Sequence, residues 1–64
     1  MNVLSVETYE DFFRGKSNEA LVNEISWVVT KYIITDSDSE LEEADNALKA
    51  IKRVFRERLN ITAE

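Results

Sequence analysis

The sequence contains no histidine and no cysteine. Their absence removes disulfides, thiolate and imidazole zinc sites, thiol nucleophiles, thioether-linked haem and every imidazole general base. There is no proline and only one glycine. So few breaks suit long helices and argue against a sandwich or barrel with many turns. The uncharged run Ile25 to Thr30 falls far short of the roughly 18–20 apolar residues that span a membrane. Met1 to Ser5 is neither basic nor long enough for a secretory signal. The expectation is a soluble, cytoplasmic protein.

What is present is small and acidic. Sixty-four residues and 7.4 kDa make one domain, 1–64, of a size at which a lone core rarely supplies more than ~3–5 kcal/mol. A hydrophobic content of 44%, with one Trp, two Tyr and three Phe, is too apolar for a disordered chain. Eight basic against thirteen acidic side chains leave a net charge of −5, which opposes non-specific attachment to nucleic acid or anionic membranes.

Two polar breaks divide the chain. At Arg14-Gly15-Lys16-Ser17, glycine suits a left-handed helix terminus, and Ser17 or Asn18 can cap the next helix. At Asp36-Ser37-Asp38-Ser39, short polar side chains compete for backbone hydrogen bonds. The segment before the first break predicts a helix over 6–14. Ser5 is its N-cap, Glu7 occupies its first turn, and Val6, Tyr9 and Phe13 form its apolar stripe. Met1 to Leu4 reads as an extended apolar lead-in.

The middle segment poses a conflict. Ile25 to Ile34 is rich in β-branched and aromatic residues, which favours a strand. Periodicity favours a helix over 18–35: Leu21, Ile25, Val28 and Tyr32 follow 4-3-4 spacing, with Val22, Val29 and Ile33 beside them. On the other side, Ala20, Trp27 and Ile34 stack seven apart, so the helix is apolar on two faces. The last segment predicts a helix over 39–60. Ser39 and Glu42 match the capping box. Leu41, Ala44, Leu48, Ile51, Phe55 and Leu59 form the stripe, with Ala47 and Val54 at its margin. Acids fill its start and bases its end, in the sense that opposes the macrodipole.

Four features are candidate sites. The alternating acids of Asp36 to Glu40 resemble the opening of a calcium loop, but Leu41 stands where glycine is required and Ala47 where the bidentate glutamate belongs; the segment reads as helix caps. Asp36, Asp38, Glu40, Glu42 and Glu43 offer a surface to a basic partner. Lys49, Lys52, Arg53 and Arg56 share roughly a 100° arc that could meet an anionic partner, although a fold-back would bring Glu7, Glu10 and Asp11 close enough to neutralise much of it. Trp27 is the fourth. A first helix of nine residues spans only ~13 Å and leaves most of a ~27 Å helix uncovered, so Ala20, Trp27 and Ile34 are assigned to a protein interface.

The expectation is all-α: a short N-terminal helix followed by a long antiparallel helical hairpin, dimerising into a bundle. Its function is that of a small acidic protein-binding module, a regulator, inhibitor or assembly adaptor, with itself or another protein as partner. No catalytic residue, metal, cofactor or small-molecule substrate is assigned. The alternative is a dimeric nucleic-acid binder using the basic half of the third helix.

Overall fold

The computed structural model describes residues 3–63, and of 61–63 only the backbone. It contains three helices and, among the described residues, no strand: α1 Val6–Arg14, α2 Asn18–Ile34 and α3 Asp38–Ala63. Met1 and Asn2 of the lead-in lie outside the described residues. No described helix is long and apolar enough to cross a membrane.

Local chemistry places the first two helix starts where the caps require. Ser5 Oγ accepts the Thr8 N–H at 3.2 Å, and Ser17 Oγ accepts the Ala20 N–H at 3.1 Å, so each serine satisfies an amide that the helix leaves unpaired. Gly15, by contrast, is not left-handed. Its φ of −84° and ψ of −1° lie in the helical region, and the turn closes by donation from the Lys16 N–H to the Phe13 carbonyl at 2.9 Å. A β-carbon at Gly15 would meet only the Phe12 carbonyl, at an ordinary 3.8 Å.

Helix α2 runs unbroken through Ser26–Lys31, so burial on a 3.6-residue period overrides the local strand preference. Thr30 Oγ1 donates to the Ser26 carbonyl at 2.9 Å, which satisfies the hydroxyl within the helix itself. The helix stops at Thr35, whose extended backbone (ψ 142°) still donates to the Lys31 carbonyl.

The start of α3 corrects the sequence expectation. Helix α3 begins at Asp38, one residue early, and Ser37 rather than Ser39 caps it, with Ser37 Oγ accepting the Glu40 N–H at 3.4 Å. Ser37-x-x-Glu40 also fits the capping-box pattern, but its acid acts through a third residue. Thr35 Oγ1 accepts the Ser37 N–H at 3.2 Å and donates to the Glu40 carboxylate. Thr35 thus ends one helix and helps start the next. The far end of α3 continues to Ala63 instead of stopping near Asn60.

Helix α3 is the shared partner. Helices α1 and α2 each pack extensively on it and touch one another far less. The core is Phe13 of α1, Leu21 and Val28 of α2, and Ala44, Ala47, Ala50, Ile51 and Val54 of α3. Ala47 and Val54, expected at the margin of the stripe, are therefore central, whereas Leu59 is 67% exposed. Two neighbours on α3 demand a broad buried arc, and alanines at 44, 47 and 50 let both approach. Val6, Tyr9, Ile25, Leu48 and Phe55 pack around this core, half-buried. Tyr9 stacks on Phe13 at 5.7 Å between ring centres.

Two expectations follow from the caps. Ser37→Ala is expected to lower stability by about 0.5–2 kcal/mol, with Ser39→Ala near neutral. Gly15→Ala is expected to raise stability by roughly 0.4–1 kcal/mol, because its backbone suits alanine and the unfolded chain loses freedom. Urea melts of the three variants check both expectations.

Candidate functional site: the apolar and charged surfaces

The described residues hold no group of three His, Cys, Asp or Glu able to bind a metal ion, and two clefts among them are small. Phe12, Phe13, Lys16, Ala20, Leu21 and Glu24 line one of about 120 Å³ between α1 and α2. Tyr9, Glu24, Trp27, Val28, Lys31, Glu43, Ala44 and Ala47 line one of about 90 Å³ where all three helices meet. Both are well below the several hundred cubic ångströms of an ordinary small-molecule site.

Ala20, Trp27 and Ile34 are therefore separated in their surroundings, although they share a side of α2. Ala20 is half-buried against the phenylalanines of α1, Trp27 borders the second cleft at 57% exposure, and Ile34 stands free at 70%. The neighbouring stripe differs from expectation. Val22, Val29 and Ile33, which periodicity sets beside the core stripe of α2, are 58%, 44% and 78% exposed. Helix α3 covers only the narrow line through Leu21, Ile25 and Val28, and α1 lies toward Ala20 and Trp27, so nothing described lies over Val22 and Ile33.

The basic arc is partly neutralised. Arg53 Nη1 lies 3.5 Å from both Glu7 and Glu10 of α1, and Lys49 pairs with Asp45 at 3.0 Å. Lys52 and Arg56 form no ion pair with a described residue. Of the acids expected to meet α3 from the first helix, Glu7 and Glu10 do so through Arg53, whereas Asp11 pairs with Arg14 inside α1. The sequence reading overlooked Arg14, which bridges Glu10, Asp11 and, across to α3, Glu57 at 2.9–3.0 Å. Arg14 is the last residue of α1, and its reach to α3 depends on the tertiary fold. This pairing holds the Glu57 carboxyl below its ordinary range, chiefly by the hydrogen bond from Arg14. Arg58 donates to the Lys16 carbonyl at 2.6 Å and to the Asn18 side chain, tying the far end of α3 to the α1–α2 turn.

Of the acidic group, Asp36, Asp38 and Glu42 are exposed, while Glu40 serves the cap described above. Glu43 is half-buried and accepts the Tyr9 hydroxyl at 2.7 Å. Burial, then this hydrogen bond and the nearby carboxylate charge, push the Tyr9 phenol up to about 12. Tyr32 is also raised, first by desolvation and then by its 3.1 Å hydrogen bond to Asp45. Asp45 in turn is held below its usual range by hydrogen bonds from Lys49 and Tyr32.

Compared with known proteins, the chain matches no family model, no curated protein and no solved structure. The functional reading therefore rests on these surfaces.

The raised Tyr9 phenol has a defined consequence. Because its folded value lies above the unfolded value of about 10, the Tyr9–Glu43 contribution is complete below pH ~10 and is lost as pH rises toward 12. Stability measured across that window is expected to fall in the native chain, and Tyr9→Phe is expected to flatten the fall. Phenolate absorbance supplies the parallel readout of ionisation.

Proposed function

We propose that the chain is a small, acidic, cytoplasmic protein-binding module, a regulator, inhibitor or assembly adaptor, that works without catalysis. In this reading α2 and α3 form an antiparallel hairpin buttressed by α1, and the face marked by Ala20, Trp27 and Ile34 receives another protein. The observation that carries it is Trp27, a large aromatic in mid-helix that stays 57% exposed beside a cleft floored by Val28, Ala44 and Ala47. An indole beside an apolar cleft is the type of anchor that dominates protein interfaces, and Glu24, Lys31 and Glu43 supply a mixed-charge rim.

The nucleic-acid alternative is weaker because two of its four cations, Lys49 and Arg53, already face carboxylates. Salt separates the two readings. A partner captured by the immobilised native chain from host lysate is expected to persist at high salt and to be lost with Trp27→Lys, while single-stranded and duplex oligonucleotides bind neither form. Oligonucleotide binding that falls steeply with salt would overturn the protein-binding reading.

A further inference from the structure

The side of the molecule away from α1 carries a second apolar surface. Helix α1 reaches α3 through Glu43, Arg53 and Glu57, and it meets α2 at Ala20 and Glu24. At 3.6 residues per turn, Val22, Val29 and Ile33 lie roughly 120–160° around α2 from Trp27. On α3, Leu59 and the half-buried Leu48 and Phe55 lie on the corresponding side. Val22, Val29 and Ile33 keep the seven- and four-residue spacing of a helix-packing seam, as do Leu48, Phe55 and Leu59. Such an exposed apolar strip on so small a protein marks an interface.

The charges along its α3 edge say what fits there. Asp38, Glu42 and Asp45 are spaced 4-3, and Lys49, Lys52 and Arg56 are spaced 3-4, so the six mirror one another in position about residue 47 with opposite sign. All six lie within roughly 80° of one another on α3, about 100° from the side that α1 occupies. A twofold axis perpendicular to the helix makes residue i meet j while j meets i. Applied at residue 47, it sets Asp38 against Arg56, Glu42 against Lys52, and Asp45 against Lys49 of the other copy. Of these six, Lys52 and Arg56 are the cations that form no ion pair with a described residue of their own chain.

We propose that a second copy of this chain docks on the Val22–Val29–Ile33 and Leu48–Phe55–Leu59 face, with its α3 antiparallel across a twofold axis near residue 47. The inference rests on the reading of exposed apolar surface as interface, and it assigns a different face and its occupant. The Trp27 side stays open in the dimer, so the two readings fail separately.

Sedimentation equilibrium of the full chain at micromolar concentration is the test. The expected mass is about twice 7.4 kDa. Val29→Glu and Ile33→Glu, both at positions that solvent already reaches, should each return it to monomer with helical circular dichroism retained. Trp27→Lys should leave it dimeric. Glu42→Lys and Lys52→Glu should each weaken the dimer about 5- to 10-fold, since symmetry counts every exposed pair twice, and Glu42→Lys/Lys52→Glu together should restore it. A native chain that is monomeric throughout, whether free or bound to phosphatidylserine vesicles, overturns the proposal. So does a dimer lost with Trp27→Lys but not with Val29→Glu or Ile33→Glu, or the failure of the double charge swap to restore association.

Discussion

The fold depends on one constraint: α1 and α2 share a single packing partner. Because they scarcely meet each other, whatever holds either in place passes through α3, and α3 must be apolar over a wider arc than a surface helix usually presents. Its buried positions 44, 47 and 50 are all alanine, with Ile51 and Val54 supplying bulk. Small side chains let helix axes approach closely, which places Phe13 and Leu21 against α3 at 2% and 0% exposure. The same arrangement limits the core. With α1 nine residues long, one side of α3 has short cover, and much of α2 is left facing outward.

Charge reinforces this geometry in two ways. The acidic start of α3 opposes its own macrodipole, and the cations further along it face the acids of α1. Arg53 with Glu7 and Glu10, and Arg14 with Glu57, close a network across the α1–α3 contact. Individual exposed pairs of this kind are worth little, and several sharing partners specify orientation better than they add stability. They also consume cations that an isolated view of α3 would assign to an external anion. Lys52 and Arg56, which form no ion pair with a described residue, lie about 100° around α3 from the side that α1 occupies.

Much of the architecture was legible in sequence because helix starts are local events. Ser5 and Ser17 cap the helices they precede, and a 3.6-residue period identified α2 as helical against its β-propensity. Legibility failed where two local patterns competed. Ser37-x-x-Glu40 and Ser39-x-x-Glu42 satisfy the same motif two residues apart, and Thr35, which belongs to the preceding helix end, selects the first. It failed again at Gly15, since residue type permits a left-handed turn without requiring one.

The sequence by itself determined that the chain is three helices, where two of them start, and which stripe of each is apolar, because those properties depend on residues within a few positions of each other. The tertiary structure alone decided how those stripes divide between core and surface. Ala47 and Val54 became central because α3 packs two neighbours. Val22, Val29 and Ile33 stayed exposed because α3 covers only the line through Leu21, Ile25 and Val28 and α1 lies on the other flank. Periodicity specifies the direction in which a side chain points, but burial requires something to be there, and only the placement of the three helices supplies it.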